Sequence, residues 1–209
     1  MQTISTESQF KSKTLSSQGF ETFLNDVNNS SQLIESGVGK AGKLVERFKL
    51  LAGKNNTQKP EDININNLLT ESFKVALNTL QISPENAKLT LQGKASLHSF
   101  PATIAQVFNI LIENAFIHAD VPFIEINCVI ETEAQQLQLN FYDNGKSIEQ
   151  GAEKRIFEPF YTTKRHRGHS SLGLHIAYNN ITQDLKGSIE CFNVSEGGLG
   201  YRIKLPMLD

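Results

Sequence analysis

The residues IFEPFYTTK at 156–164, followed by LGLHIAYN at 172–179, are the most informative part of this chain. Two phenylalanines flank a proline, and a basic, hydroxyl-rich and glycine-containing segment then leads into the predicted start of a helix. Such a segment can fold over phosphate groups, because backbone amides, a helix N-terminus and cationic side chains all attract anions. A flexible basic surface loop is the alternative interpretation of the same residues.

Upstream, the predicted helix end LIENAFIH at 111–118 carries polar residues on one side. Glu113 and Asn114 are neighbours there, and His118 lies one turn beyond Asn114. An asparagine oxygen is a suitable ligand for Mg²⁺, which prefers oxygen ligands and retains several waters. Taken alone, a solvated helix end explains this segment better than a metal site does.

The segment FYDNGKSI at 141–148 ends a predicted strand with a carboxylate and a glycine. Asp143 at such a strand end can accept a hydrogen bond from an amino group such as that of adenine, while Gly145 allows a close approach of backbone. By itself, an Asp-Asn-Gly turn is the simpler explanation of this pattern.

In their order and spacing, these segments resemble the N, G1, F and G2 boxes of the ATP-binding catalytic domain of sensor histidine kinases. The resemblance covers about residues 60–206, and the segments at 156–164 and 172–179 are specific to kinases within the GHKL superfamily. It implies an α+β fold, a two-layer α/β sandwich of the Bergerat type, preceded by a long dimerisation helix. Mismatch-repair and topoisomerase ATPases of the same superfamily fit less well.

The resemblance implies ATP and Mg²⁺ as cofactors and assigns roles by position. Asp143 would bind the adenine amino group, Asn114 would bind Mg²⁺, and the catalytic residues would be Glu113, Asn114 and Lys164. The remaining nucleotide-binding positions would wall the adenine pocket, contact phosphates or form the lid. They are His118, Gly145, Ser147, Ile148, Phe157, Phe160, Thr162, Thr163, Lys164, Gly168, Ser171, Leu172, Gly173 and Leu174.

The implied activity is that of a protein-histidine kinase in a two-component system. In this family the terminal phosphoryl group of ATP passes to a histidine of the dimerisation hairpin, and then to an aspartate in the receiver domain of a response regulator. The catalytic domain contributes mainly positioning and electrostatic stabilisation.

The N-terminal part of the chain has apolar residues at heptad spacing, which predicts a long helix over about 18–52. The seam positions are Phe20, Leu24, Val27, Ser31, Ile34, Val38, Ala41, Val45 and Phe48. This helix resembles the second helix of the kinase dimerisation hairpin, so the expected partner is a second copy, bound through residues 20–48. An amphipathic helix lying on its own domain is the alternative.

A polar segment rich in helix breakers, GKNNTQKP at 53–60, separates two predicted regions. Residues 1–56 are expected to be a partial dimerisation region and residues 57–209 the ATP-binding domain. Within the latter, helices are predicted at 67–80, 103–118 and 171–185. Strands are predicted at 63–65, 88–92, 123–130, 136–142, 187–194 and 200–205, with an antiparallel sheet forming one layer.

The overall composition indicates which partners and which cellular compartment to expect. The 20 basic and 22 acidic residues leave a net charge of -2, which favours neither nucleic acid nor a membrane surface as partner. Cys128 and Cys191 lie in apolar stretches and are expected to be buried free thiols in a reducing compartment. No apolar run of about 18 residues and no signal peptide is present. A cytoplasmic chain is expected, and a membrane-anchored parent stays open.

One departure from the family pattern concerns the phosphoacceptor. The five histidines are His98, His118, His166, His169 and His175, so none lies in the first 97 residues. A fragment cut downstream of the acceptor histidine is the favoured explanation, and a natural acceptor-less relative is the other. The corresponding alternative function is a degenerate dimerisation or docking module with weak or no use of ATP.

Further departures affect the predicted nucleotide site. Ile110 stands where the family often has a second asparagine, while Ser147 and Ser171 replace glycines. A serine held at positive φ costs on the order of 1 kcal/mol, so weakened nucleotide affinity is expected. For His166 and His169, a solvated lid loop is favoured over a metal or phosphate grip, because no further ligand lies nearby in sequence.

Overall fold

A computed structural model of the chain describes residues 10–12, 16–52, 59–118, 121–133, 135–162 and 172–207. It divides into two compact units, Met1–Ala52 and Gly53–Asp209. This division falls within a few residues of the boundary expected after residue 56. The two units are described separately below.

The first unit contains one long helix, α1 (Ser17–Ala52). Ser16 begins it, because the Ser16 hydroxyl oxygen accepts a hydrogen bond from the Gly19 amide at 3.1 Å. The predicted long N-terminal helix is therefore confirmed. Side chains of Ser36, Lys40, Ala41 and residues 43–52 lie outside the described set. None of the described helices, α1 included, combines the length and the apolarity that crossing a membrane requires.

The second unit alternates strands and helices along the chain. Its elements are β1 (Glu61–Asn64), α2 (Ile65–Leu80), β2 (Ala87–Gln92), β3 (Ser96–Ser99), α3 (Pro101–His118), β4 (Ile124–Glu133), β5 (Gln136–Asp143), α4 (Gly173–Asn179), β6 (Ser188–Asn193) and β7 (Leu199–Pro206). Short 3₁₀ turns occur at Pro84–Asn86 and Arg155–Phe157, and one π turn at Asn180–Asp184. The helix predicted at 171–185 is thus divided into α4 and a π turn.

Five strands form the main sheet in the order β2-β4-β5-β7-β6. β2 pairs with β4 in parallel, whereas the other three pairings are antiparallel. The predicted antiparallel sheet is therefore parallel at one edge. A parallel pair needs a crossover connection, and the chain from β2 to β4 supplies one that includes α3.

A separate two-stranded sheet joins β1 to β3, and the sequence interpretation missed β3. The strand predicted at 63–65 instead ends at Asn64, whose side-chain oxygen accepts a hydrogen bond from the Asn67 amide at 2.9 Å. Because Asn64 thereby caps α2, the helix begins at Ile65 and not at residue 67.

The helices cover one face of the main sheet, as a two-layer α/β sandwich requires, so the predicted fold class is confirmed. α3 buries the side chains spaced along one side: Ile104, Val107, Phe108, Leu111, Ile112 and Ala115. They share a single apolar core with the alternate residues Leu137, Leu139 and Phe141 of β5. Asp143 continues that alternation, so β5 delivers a carboxylate to the end of the core.

Both cysteines lie in this core. Cys128 and Cys191 are free and buried, as expected from their apolar surroundings. Burial raises the pKa of the Cys128 thiol to about 12, and the pKa of Cys191 also to about 12, the nearby carboxylates of Asp143 and Glu153 adding to the second shift. Both thiols are therefore protonated at neutral pH.

Candidate functional site

Asp143, the last residue of β5, is the centre of the candidate site. Its side chain is 7% exposed, and its Oδ1 atom accepts hydrogen bonds from the Gly145 amide at 2.9 Å and the Leu199 amide at 3.2 Å. The pKa of Asp143 is raised, because desolvation of the buried carboxylate outweighs the stabilisation from these two amides. The carboxylate therefore connects the turn after β5 to the start of β7.

A glycine of the β6–β7 connection makes this arrangement possible. Gly198 has φ +96°, and a Cβ atom added there would lie 1.9 Å from the Asp143 carbonyl oxygen. The backbone of the connection thus packs directly against the backbone of Asp143. The Ser147 hydroxyl donates a hydrogen bond to the Gly198 carbonyl oxygen at 3.3 Å, which ties the two turns together.

Two asparagines hold the turn that follows Asp143. Asn144 accepts from the Glu125 amide at 2.9 Å and donates to the Phe123 carbonyl at 3.0 Å. Further along, the Asn193 side chain accepts from the Ile148 amide and donates to the Ile148 carbonyl, both at 2.9 Å. Ile148 is half-buried against the core. The turn is therefore fixed at both ends before any ligand binds.

The expected strain at Ser147 was wrong. The non-glycine residues with positive φ in the described part of the chain are Gln81, Gln135, Phe160 and Lys186, and Ser147 is not among them. Serine therefore fits this turn without the cost of a left-handed conformation, and its hydroxyl bonds Gly198.

Asn114 approaches the site from α3. It is half-buried, and its Nδ2 atom donates a hydrogen bond to the Tyr201 hydroxyl oxygen at 2.8 Å. Leu199 and Tyr201 are consecutive core-facing residues of β7, the first bonded to Asp143 through its amide and the second to Asn114. Burial, and to a lesser extent the carboxylate of Asp143, raises the pKa of Tyr201. Asp143 and Asn114 therefore contact neighbouring core-facing residues of the same strand, β7.

The predicted adenine-wall residues Phe157 and Phe160 lie in different surroundings. Phe157 is 8% exposed, and its ring centroid is 5.5 Å from that of Tyr178, so it belongs to the core. Phe160 is 68% exposed and has φ +66°, a conformation that is strained for an aromatic residue. Thr162, two residues later, is half-buried.

His175 links the two segments that flank the predicted lid, a role that sequence interpretation did not assign. Its Nδ1 atom donates to the Phe157 carbonyl oxygen at 2.9 Å, and Asn179 Nδ2 donates to its Nε2 atom at 3.1 Å. These two bonds join the segment before the predicted lid to the helix that follows it. No local sequence signal distinguishes this histidine from any other on a helix.

The start of α4 packs against α3. Leu172 is 3% exposed, Leu174 is half-buried, and Ile110 Cγ2 lies 3.4 Å from the position that a Cβ atom would take on Gly173. Ile110, which replaces a polar family residue, thus makes an apolar contact between the two helices. Glu113 and His118 are half-buried on α3. The remaining predicted residues lie outside the described set: Thr163, Lys164, Gly168 and Ser171, with His166 and His169.

The chain is similar in sequence to several known proteins. A family model described as "Histidine kinase-, DNA gyrase B-, and HSP90-like ATPase" matches residues 100–209. Sensor protein KdpD of Escherichia coli K12 is 34% identical over 97 residues, which are 46% of this chain and 11% of that protein. Sensor protein TdiS of Thauera aromatica is 24% identical over 191 residues, 87% of this chain and 34% of that protein. The matched regions thus span 11% and 34% of the lengths of these two relatives.

Several solved histidine kinases share the fold. AdeS of Acinetobacter baumannii has a TM-score of 0.60 at 20% identity, over 98% of this chain and 93% of that one. ThkA, solved in complex with the response regulator TrrA, has a TM-score of 0.63 at 18% identity, over 92% and 53%. Full-length ShkA, solved in complex with AMPPNP, has a TM-score of 0.65 at 13% identity, over 92% and 39%.

Proposed function

Because the chain belongs to the histidine kinase-, DNA gyrase B- and HSP90-like ATPase family, we propose that residues 57–209 are the ATP-binding catalytic domain of a two-component sensor histidine kinase. Its reaction transfers the terminal phosphoryl group of ATP to a histidine, from which it passes to the receiver domain of a response regulator. Every histidine of this chain lies at position 98 or later. The helix that resembles the dimerisation hairpin, α1, therefore carries no acceptor histidine.

The surroundings of Asp143 carry the proposal. Its Oδ1 atom is already used by two backbone amides, which fixes the plane of the carboxylate and leaves Oδ2 outside both bonds. A fixed, largely desolvated acceptor is what recognition of an exocyclic amino group requires, because its orientation is set before the ligand arrives. Adenine carries such a group, whereas guanine carries a carbonyl oxygen at the same position.

Mg²⁺ fits the donors that the site offers. The hydrogen bond of Asn114 to Tyr201 uses the amide nitrogen, so it does not consume the Oδ1 atom. Within the described residues, no group of three or more histidine, cysteine or acidic side chains could hold a metal ion. A cation bound through Asn114 would therefore take its other ligands from phosphates and water, as Mg²⁺ characteristically does. When bound, it would neutralise charge on the transferring phosphate.

The lid residues keep the roles that their positions imply. Lys164, Thr163, Gly168 and Ser171, together with His118 on α3, would contact phosphates or cover the nucleotide. The bond between His175 and the Phe157 carbonyl supports this assignment, because it joins the residues on either side of the predicted lid. Glu113 and Lys164 remain the proposed catalytic residues beside Asn114.

Calorimetric titration with a non-hydrolysable ATP analogue and Mg²⁺ tests the proposal. We expect one site per chain with a dissociation constant of about 10–500 μM. The turn after Asp143 is pre-organised, which favours binding, but the site departs from the family pattern at Ile110, which weakens it. The matching GTP analogue should bind at least about tenfold more weakly, since its carbonyl oxygen would face the Asp143 carboxylate. Equal binding of both nucleotides, or none at several millimolar, would contradict the proposal.

We also propose that the chain forms a homodimer through α1. The seam residues Phe20, Leu24, Val27, Ile34 and Val38 are 43–67% exposed within one chain, which is unusual for apolar residues at regular spacing. A second copy of the same helix would cover them in a coiled-coil or bundle arrangement. Glycines at 37, 39 and 42 weaken the isolated helix, so burial of the seam would also stabilise α1.

Two neighbouring substitutions test the dimer. Ile34→Lys places a charge in the seam and should raise the dimer dissociation constant at least about tenfold, because two lysines would face each other across the symmetry axis. Leu33→Lys is the matched control: Leu33 is 74% exposed but lies off the seam. Analytical ultracentrifugation measures both. A monomeric parent chain, or equal effects of the two substitutions, would refute this interface.

A response regulator receiver domain is the proposed macromolecular partner. The support is that ThkA, which shares this fold, was solved in complex with the response regulator TrrA.

A degenerate dimerisation or docking module remains the second candidate function. The observation that favours it is Ile110, which fills the contact between α3 and α4 with an apolar side chain where a polar one would serve the nucleotide. Asp143→Asn separates the two functions: the kinase function predicts that nucleotide binding is lost, whereas a docking module predicts that partner binding is unchanged.

A further inference from the structure

The hydroxyl group of Tyr201 contacts the side chain of Asn114. It is fully buried in β7, where Phe141 of β5 and Cys191 of β6 are its register partners. Its ring centroid is 6.2 Å from that of Phe141. The phenol is thus fixed from both sides, and its oxygen accepts the Asn114 Nδ2 hydrogen bond at 2.8 Å.

The chemistry of the amide gives this bond a directional consequence. An amide nitrogen only donates, and an amide oxygen only accepts. Because the carboxamide is planar, holding Nδ2 against the Tyr201 oxygen places Oδ1 on the other side of the group. If the amide were rotated by half a turn, the phenol would donate to its oxygen instead, and a cation could not use that oxygen; the observed Nδ2 bond is the arrangement that leaves Oδ1 available.

We infer that Tyr201 is a positioning residue for Mg²⁺ binding, holding the Asn114 carboxamide so that its oxygen is available to the cation. The inference rests on the proposed function of the site and deepens it. Partners that orient a metal ligand typically change metal affinity by about 10–100-fold when they are removed. Tyr201 acts through Asn114 and does not itself touch the ligand.

Tyr201→Phe tests the inference, because it removes the hydroxyl and leaves the ring between Phe141 and Cys191. The measured quantity is the gain in affinity for the ATP analogue when Mg²⁺ replaces EDTA. We expect this gain to fall about tenfold, with affinity in EDTA unchanged within about twofold, since the adenine contact with Asp143 is retained. The melting temperature should change by only a few degrees.

Tyr142→Phe is the matched control. Tyr142 is half-buried on the opposite face of the sheet, where its ring lies 6.0 Å from that of Phe192. Because its hydroxyl lies on the opposite face of the sheet from Asn114, its removal should leave the affinity for the ATP analogue unchanged both in EDTA and in Mg²⁺. A purely structural effect of losing a tyrosine hydroxyl would instead lower the affinity in EDTA and in Mg²⁺ alike.

Nuclear magnetic resonance on the nucleotide-free protein gives an independent readout. Tyr201→Phe should shift the side-chain NH₂ resonances of Asn114, whereas Tyr142→Phe should not. An unmoved Asn114 signal, or an unchanged Mg²⁺-linked gain in a variant that still binds nucleotide, would overturn the inference alone. Failure of the parent protein to bind nucleotide would overturn the proposed function and this inference with it.

Discussion

Asp143→Asn is expected to lower the affinity for an ATP analogue by about 100-fold or more. The asparagine oxygen would take over the two backbone amides of Gly145 and Leu199, which lie 2.9 and 3.2 Å from Oδ1. Its NH₂ group would then face the amino group of adenine, so a charge-assisted hydrogen bond is replaced by two opposed donors. Calorimetric titration measures the loss.

The same substitution should stabilise the nucleotide-free domain at neutral pH. Folding raises the pKa of Asp143, so the stability linked to its protonated form is complete below the unfolded pKa and is lost as pH rises through the folded pKa. Asparagine has no charge to desolvate. We therefore expect a gain on the order of 1 kcal/mol at about pH 7.5 that disappears near pH 4, measured by thermal unfolding.

Asp184→Asn is the control for the effect on nucleotide affinity. Asp184 is an exposed carboxylate in the π turn after α4. Its replacement changes the net charge by the same amount but should leave nucleotide affinity unchanged, because Asp184 is not part of the candidate site. Nucleotide binding by Asp143→Asn at the parent affinity would remove Asp143 from the adenine site.

Gly198→Ala is expected to destabilise the second unit by about 3 kcal/mol or more. The added Cβ atom would lie 1.9 Å from the carbonyl oxygen and 2.8 Å from the carbonyl carbon of Asp143. These are backbone atoms, so no side-chain rotation can relieve the overlap. Urea unfolding measures the loss, and the surviving folded protein should bind nucleotide weakly because Asp143 is displaced.

Gly197→Ala separates this overlap from backbone strain. Gly197 has φ +97°, almost the same as the +96° of Gly198, but a Cβ atom there would meet only the Gly145 carbonyl oxygen at 4.0 Å. Its replacement should therefore cost about 1 kcal/mol, the penalty for a left-handed alanine alone. Equal destabilisation by the two substitutions would show that the contact with Asp143 is unimportant.

Much of the fold and the core of the site could be predicted from local sequence. α3 was predictable because its apolar residues recur on one side and Pro101 marks its start. Asp143 and Asn114 were identifiable because the order of the motifs resembles one family. The long helix α1 was predictable from its heptad spacing.

The parts that could not be predicted depend on contacts between distant residues. β3 has a single buried apolar side chain, Leu97, and its pairing with β1 crosses the whole of α2 and β2, so no local pattern marks it. The parallel edge at β2 depends on which strand it meets. The conformation of Ser147 was misjudged because the family pattern suggested positive φ, whereas the Gly198 carbonyl lets serine bond in another conformation.

Tyr201 and His175 illustrate the same limit within the site. Each is an ordinary residue in its own element, and each is linked to the candidate site only through a bond to a different segment. The hydroxyl of Tyr201 meets an amide 87 residues earlier in the chain, and the ring of His175 meets a carbonyl 18 residues earlier. Neither pairing has a periodicity or composition that sequence alone could reveal.

A crystal structure of the second unit with a non-hydrolysable ATP analogue and Mg²⁺ would test directly whether Asp143 and Asn114 bind the same nucleotide and its cation. We expect the adenine amino group within about 3 Å of Asp143 Oδ2 and a cation bound by Asn114 Oδ1, with Tyr201 still bonded to Asn114 Nδ2. A nucleotide bound elsewhere on the domain, with neither Asp143 nor Asn114 in contact with it, would show that these residues do not form the nucleotide site.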